Sequence, residues 1–217
     1  MFSDIEGVNV SSSLVNNDSV INLTYFGDER GSNRMVKHIE LTDKFEGAKL
    51  SYSVKFDNNF KWVKGGKLHG FGSEKPTTGG KELAADSWSI RVIFLEDGYL
   101  GLYLYDQKRV KHYGKILKTR THQLQREKWY DIELDVCLNS KSTFGFARLY
   151  IDSQLEIETG DIQFRRVYKK SSYISKFLFS TFFGGNDPSY APKNSEGDYV
   201  NVNAQLSSIN IEEFSCF

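Results

Sequence analysis

Cysteine, proline and net charge are all scarce in this chain of 217 residues. It contains 2 Cys and 3 Pro, and its 28 Lys+Arg balance its 28 Asp+Glu. A chain without net charge has no overall field that attracts nucleic acid or a membrane surface, so we expect neither partner. No apolar run approaches the ~20 residues of a membrane span. Any attraction for an anion must therefore be local.

The two cysteines, Cys137 and Cys216, show no metal-binding spacing and are too few to close a zinc site. A disulfide between them requires neighbouring strands and an oxidising compartment. The sequence therefore favours two buried thiols and leaves their pairing open. The chain does not begin with a charged segment followed by an apolar one, so no signal peptide is visible.

Short segments in which apolar and polar residues alternate make up most of the chain, and 14% of its residues are aromatic. The clearest segments are residues 21–26, 35–41, 45–56, 87–94, 99–106, 129–138, 147–157, 174–183 and 199–214. Turn-rich loops separate them, and no amphipathic helix is evident. This pattern predicts an all-β sandwich. We expect a single domain over residues 1–217, with residues 1–20 forming a tail or an edge strand.

Two consecutive strand patterns, residues 87–94 and 99–106, carry the most informative side chains. Apolar residues alternate with Ser89 and Arg91 in the first pattern, and with Tyr103 and Tyr105 in the second. Such alternation means that one face packs on a core and the other is open to water or ligand. An Asp-Gly turn signal lies between the two patterns and predicts an antiparallel hairpin. The open face of this hairpin then presents a serine, an arginine and two tyrosines.

A glycine-rich segment, residues 65–81, precedes the hairpin. A run so rich in glycine indicates a close backbone approach or a mobile flap. It is not a phosphate-binding loop, because no Gly-Lys-Ser/Thr follows at the required spacing. With a period of two, Lys67 and His69 share one face of this segment, and we place that face beside Arg91. Lysine, arginine, serine and tyrosine together predict a site for an anionic sugar.

Three enzyme classes fit the sequence less well. A two-carboxylate glycosidase would require a third acid where Leu138 follows Glu133 and Asp135, so we interpret Asp131, Glu133 and Asp135 as a solvent-facing row. No Gly-x-Ser-x-Gly elbow of a serine hydrolase is present. A metal-dependent enzyme is not expected either, because the spacing of the histidines is not that of metal ligands. The four histidines are His38, His69, His112 and His122.

Eliminative cleavage of a uronic acid polymer does fit these residues. The reaction removes the proton at C5, next to a carboxylate, and expels the 4-O-glycoside. Arg91, assisted by Ser89, is suited to neutralising the carboxylate. Lys67, Tyr103 and Tyr105 supply a base for the proton and an acid for the leaving oxygen, although the sequence does not assign the two roles. With these cations present, the reaction requires no metal ion and no cofactor.

Four sequence blocks, in the same order, resemble polysaccharide lyase family 14. They are Gly65-Gly-Lys-Leu-His-Gly70, Ser89-x-Arg91, Tyr103-x-Tyr105, and the segment 182–187 followed by Tyr190-Ala-Pro192. The resemblance spans roughly residues 45–214, and within the family the chain looks similar to the chlorovirus members in particular. His69 departs from the pattern, because most members have proline there.

The resemblance implies a β-jelly roll of two antiparallel sheets with a concave cleft, and metal-independent β-elimination on polyuronates. It assigns catalysis to Lys67, Tyr103 and Tyr105 and substrate binding to Ser89 and Arg91, and we add His69 to the binding set because of its parity. The expected partner is a glucuronate- or alginate-type polysaccharide. We expect a monomer that acts extracellularly on a host or algal cell wall, in association with a virion or free.

Two other interpretations stay open. A catalytically silent carbohydrate-binding jelly roll would use Arg91 and the two tyrosines for recognition alone, but it gives no reason for Lys67 beside a glycine-rich flap. A structural virion or wall protein would need no cleft.

Overall fold

The computed structural model describes residues 10–15 and 18–216, which form two antiparallel sheets. The first sheet contains, in spatial order, β1 (Val10–Val15), β2 (Asp18–Asp28), β14 (Asn201–Glu213), β5 (Gly47–Phe56), β10 (Trp129–Cys137), β11 (Gly145–Ile151) and β12 (Gln154–Ile162), and β3 (Gly31–Ser32) pairs with β2. The second contains β4 (Met35–Phe45), β13 (Ile174–Phe183), β6 (Gly65–Gly72), β7 (Ser89–Leu95), β8 (Leu100–Tyr105) and β9 (Lys115–Lys118).

The predicted all-β jelly-roll sandwich is thus confirmed. Strand β13 has the bounds that its sequence pattern predicts, and it is buried along nearly its whole length. Residues 147–157 form parts of two strands, because Asp152 and Ser153 adopt positive φ angles of 49° and 64° in the turn between β11 and β12. The other regular segments in the described part of the chain are three short 3-10 helices, Glu96–Gly98, Lys170–Ser172 and Pro188–Tyr190. No helix among the described residues is long and apolar enough to cross a bilayer.

The inner faces of the two sheets pack on one apolar core, with an aromatic cluster at one end. The Phe60 ring is central, with centroids 4.5 Å from Phe56, 5.3 Å from Phe94 and 5.1 Å from Phe183. Tilted and edge-on rings at these separations add to the gain from burial. The second sheet thus buries its inner face in the core, and its outer face is available for other side chains.

The β7–β8 hairpin confirms the predicted parity. Its register pairs Ser89 with Tyr105 and Arg91 with Tyr103. The alternate residues are fully buried in the core: Trp88, Ile90, Val92, Phe94, Leu100, Leu102 and Leu104. The connecting turn contains Asp97 and Gly98, both with positive φ, as the Asp-Gly signal predicts. Arg91 and the two tyrosines therefore lie on the outer face of the second sheet, which we call the cleft face.

Cys137 and Cys216 form a disulfide, so the prediction of two buried thiols is wrong. Cys137 ends β10, and its register partner on β5 is Gly47. A Cβ at Gly47 would lie 2.6 Å from Cys216 Sγ, so the bridge passes over a strand position that lacks a side chain. The disulfide therefore joins chain segments on either side of β5, a pairing that strand order in the sequence does not reveal.

The acidic row on β10 is only partly solvent-facing. Asp131 is exposed and Glu133 half-buried, but Asp135 is 3% exposed and lies 4.0 Å from Lys49 Nζ. Segment 107–125, which is rich in Lys and Arg, forms only the edge strand β9. Within residues 1–20, β1 is the edge strand of its sheet, and residues 1–9, 16 and 17 lie outside the described part of the chain.

Candidate active site

A cleft of about 540 Å³ lies on the cleft face, across strands β4, β6, β7 and β8. Its floor includes Lys67, Arg91, Tyr103 and Tyr105. These side chains come from three neighbouring strands, because β7 pairs with β6 on one side and with β8 on the other. The structure therefore brings together four of the six site residues that the sequence predicts. The other two, Ser89 and His69, do not line the cleft.

Lys67 reaches the cleft from β6 and is half-buried. Its ammonium nitrogen lies 3.9 Å from the centroid of the Tyr103 ring. Burial, together with the charges of Arg91 and Arg34, lowers the pKa of Lys67 to about 7. At neutral pH a substantial fraction of Lys67 is therefore unprotonated and can accept a proton.

His69 lies in the core, so the prediction that it shares a face with Lys67 is wrong. The β6–β7 register shifts between Lys67 and Gly70, which places two residues of β6 opposite one of β7. A bulge of this kind reverses the alternation beyond it. The His69 ring stacks on Phe179 with centroids 4.6 Å apart, and its Nδ1 accepts a hydrogen bond from the Ser180 amide at 3.3 Å. His69 is fully buried and cannot bind substrate.

Arg91 extends into the cleft from the middle of β7. It is 5% exposed, and its Nε has no hydrogen-bond partner among the described residues. Its Cζ lies 5.7 Å from the centroid of the Tyr103 ring. Burial lowers the pKa of Arg91 from its usual high value, but a guanidinium stays charged at neutral pH. A buried guanidinium with an unused donor is suited to binding a carboxylate.

Tyr103 and Tyr105 form a hydroxyl pair on β8, with their oxygen atoms 3.2 Å apart. The Gly80 amide donates to the Tyr105 hydroxyl at 2.9 Å, and the Gly114 amide donates to that of Tyr103 at 3.3 Å. Burial raises the pKa of Tyr103, and its hydrogen bond with Tyr105 raises it further. Tyr103 therefore holds its proton at neutral pH and is suited to act as a general acid.

Ser89 lies on the same side of β7 as Arg91, but its hydroxyl does not reach the cleft. The side chain is fully buried, and Ser89 Oγ donates to the carbonyl of Thr77 at 2.5 Å. Thr77 belongs to the glycine-rich segment, of which Thr78 and Gly79 line the cleft. Ser89 therefore fixes the base of this loop, and the prediction that it contacts substrate is not supported by its position.

Several cleft residues were missed by sequence reasoning. His38 lies on β4, Arg34 lies in the loop before β4, and Lys64 precedes β6. Arg34 donates to the Gly185 carbonyl at 2.8 Å and lies over the Phe182 ring, and Lys64 Nζ lies 4.8 Å from the Tyr190 ring. Segment 182–190, which the family resemblance singles out, is thus held by two cations. Arg34 and His38 carried no local signal in the sequence.

The cleft is strongly cationic. Arg34, Lys64, Lys67 and Arg91 line it, and Asp187 is the one carboxylate among its described lining residues. Burial lowers the pKa of His38, and nearby positive charges lower it further. No group of three or more His, Cys, Asp or Glu side chains in the described part of the chain could hold a metal ion. Chemically, the arrangement can bind a carboxylate, accept a proton and donate one.

Three solved structures that are described as alginate lyases have a similar fold. A mutant of alginate lyase Aly36B in complex with alginate tetrasaccharide has a TM-score of 0.77 and 16% identity, over 94% of this chain and 83% of that one. Alginate lyase vAL-1 from Chlorella virus has a TM-score of 0.74 and 16% identity, over 95% and 90%. The marine PL-14 alginate lyase from Aplysia kurodai has a TM-score of 0.66 and 22% identity, over 94% of this chain and 87% of that one.

No curated protein matches the sequence significantly. The family model described as polysaccharide lyase 14 matches residues 18–202, which contain every strand that contributes to the cleft. This match covers most of the chain and agrees with the resemblance carried by the four sequence blocks. The chain therefore belongs to polysaccharide lyase family 14.

Proposed function

We propose that this polysaccharide lyase cleaves an alginate- or glucuronan-type polyuronate by β-elimination, without a metal ion. The observation that carries the proposal is the position of Lys67, next to the Tyr103 ring and on the strand beside Arg91. The three groups have the three properties that the reaction requires. Lys67 is a base that is partly unprotonated near neutral pH, Tyr103 is an acid that keeps its proton, and Arg91 is a buried cation. The similarity to structures of alginate lyases, one of them in complex with alginate tetrasaccharide, supports the substrate class.

In the proposed mechanism, Arg91 binds the uronate carboxylate and stabilises the negative charge that develops when C5 loses its proton. Unprotonated Lys67 takes that proton. Tyr103 then donates its phenolic proton to the 4-O-glycosidic oxygen as the C4–O bond breaks. The products are a new reducing end and a sugar with a C4–C5 double bond. Tyr105 supports the Tyr103 hydroxyl through their mutual hydrogen bond.

The experiment follows the ultraviolet absorbance of the unsaturated ends on four substrates: alginate, polymannuronate, polyguluronate and glucuronan. We expect an increase on at least one of them that persists after treatment with a chelator. A flat trace on all four, combined with retained binding in affinity gels, would instead favour a carbohydrate-binding module. Loss of activity on chelation that added divalent metal restores would contradict the metal-independent mechanism.

We also propose that the enzyme acts on cell-wall polysaccharide outside the cytosol. The Cys137–Cys216 disulfide supports this, because such bonds persist in oxidising compartments. Because Cys137 is buried, thiol alkylation of the protein in lysates of the cells that produce it, under denaturing but non-reducing conditions, tests it. We expect both cysteines to be protected, and labelling of both would contradict the proposal.

A further inference from the structure

Lys67 belongs to a straight row of residues that crosses the second sheet. The register pairs Lys67 with Ile93, Ile93 with Gly101, and Gly101 with Lys118. Neighbouring strands are about 4.8 Å apart, so Lys118 lies three strands, or roughly 14 Å, from Lys67. Ile93 is 1% exposed and Gly101 has no side chain, so the floor between the two lysines is low. The row runs across the strands, as the cleft does.

The row ends at a second groove that adjoins the cleft. Ile116 on β9 is 52% exposed and lines both the cleft and this groove, which lies between β9 and β12. Lys118 and Arg120 lie along the groove. The Lys118 ammonium lies 4.4 Å from the centroid of the Tyr99 ring, a contact that holds it at a defined place. A polymer that leaves the cleft over β9 therefore meets these two cations.

The charges around the groove leave these cations available. Lys115, on the same strand, is 3.3 Å from buried Asp106, whereas neither Lys118 nor Arg120 forms an ion pair with any described residue.

The carboxylates across the groove have other partners. Glu158 accepts a hydrogen bond from Arg148 at 2.7 Å. Glu156 accepts hydrogen bonds from the Thr121 hydroxyl and lies 3.9 Å from His122. The β9 side of the groove is therefore the side suited to an anion.

We propose that Lys118 and Arg120 form a distal subsite for a polyuronate, with Tyr99 as a positioning residue. When the sugar to be cleaved lies at Lys67, the subsite would bind the carboxylate of another sugar further along the same polysaccharide. This inference rests on the proposed function, because it takes the cleft occupant to be a polymer with one carboxylate per sugar. It makes affinity depend on chain length, since short oligosaccharides at Lys67 do not reach β9.

The test compares K118Q/R120Q with the control K141Q/K170Q, which removes two exposed lysines that line neither the cleft nor the groove. We expect K118Q/R120Q to raise KM on the long polymer by roughly three- to tenfold at unchanged kcat, since the loss of two exposed charge contacts weakens binding by about that factor. KM on trisaccharides should stay at the wild-type value, and the control should behave as wild type on both substrates. An unchanged KM on the polymer, or an equal rise on polymer and trisaccharide, overturns the subsite.

A binding measurement separates failure of the subsite from failure of the proposed function. Wild type and both double variants are run through native gels that contain alginate or glucuronan, at low and high salt. Weaker retardation of K118Q/R120Q than of the control at low salt supports the subsite, even if no enzyme releases unsaturated product. Equal retardation of the two variants, with matching thermal unfolding, overturns it whether or not the wild type is active.

Discussion

The ammonium nitrogen of Lys67 lies 3.9 Å from the centroid of the Tyr103 ring, above its face rather than beside its hydroxyl. The ring's electrons favour the charged lysine, whereas burial and the neighbouring Arg91 disfavour it. Burial, with the charges of Arg91 and Arg34, lowers the pKa of Lys67 to about 7. The ring contact fixes the position of the proposed base.

Removal of the proposed base should abolish turnover and leave the fold intact. We expect Lys67→Ala to lower kcat by about 10²- to 10⁴-fold, the usual contribution of a positioned general base. Arg91→Ala should be equally inactive, because the carboxylate loses its cation. The measurement is product absorbance, with circular dichroism as the check on folding. Lys141→Ala, an exposed lysine away from the cleft, is the matched control, and near-normal rates for Lys67→Ala would show that the base lies elsewhere.

The pH dependence of kcat/KM should report the proton on Lys67. The base must be unprotonated, so kcat/KM should rise with pH and level off above an inflection near the Lys67 pKa of about 7. Arg34 is one of the charges that lower this pKa, so Arg34→Gln should move the inflection upward. An inflection that stays in place in Arg34→Gln would argue against Lys67 as the titrating group.

The two tyrosines should differ in their importance. Tyr103→Phe removes the proposed acid, and we expect a loss of about 10²-fold or more in kcat. Tyr105→Phe removes only a supporting hydrogen bond, which is worth about 1 kcal/mol, so the loss should stay within about tenfold. Steady-state rates on one polymer decide between them. The reverse order would assign the acid role to Tyr105.

Buried His69 should make the protein sensitive to acid. Burial lowers the pKa of His69 to about 3, below the value of 6.5 in an unfolded chain. Between pH 3 and pH 6.5 the unfolded state therefore binds one more proton than the folded state. The free energy of unfolding should therefore fall, as pH drops below about 6.5, by up to about 1.4 kcal/mol per pH unit from this residue alone.

Denaturant unfolding at several pH values measures this contribution. We expect His69→Leu to have a shallower loss of stability with acid than wild type, whatever its stability at neutral pH. His112→Gln, at an exposed histidine, should keep the wild-type slope. Identical slopes for His69→Leu and wild type would mean that His69 does not resist protonation.

Local patterns in the sequence were sufficient for the hairpin that carries Arg91 and Tyr103. Strict alternation and an Asp-Gly turn depend only on residues near each other in the chain, so both faces and the antiparallel pairing followed from them. His69 was placed on the wrong face because the bulge after Lys67 arises from pairing with β7, which is not encoded within the segment itself. Periodicity cannot detect one extra residue of this kind.

Features that depend on long-range pairing were also missed. Arg34 and His38 reach the cleft because β4 lies beside β13, a strand that is far away in the sequence. The disulfide was missed for the same reason, since β14 and β10 flank β5 from opposite sides. Alternation and the family motifs both indicated Lys67 and the tyrosine pair, but neither showed that Ser89 binds a loop rather than the cleft.

The disulfide lies on the outer face of the first sheet, where Phe146 and Phe214 also pack, and the cleft opens on the opposite side of the sandwich. The backbone at residue 216 is thus anchored away from the substrate. An affinity handle or a solid support attached after this residue would leave the catalytic side directed toward the solution, so immobilised enzyme should retain access to a bulky polymer.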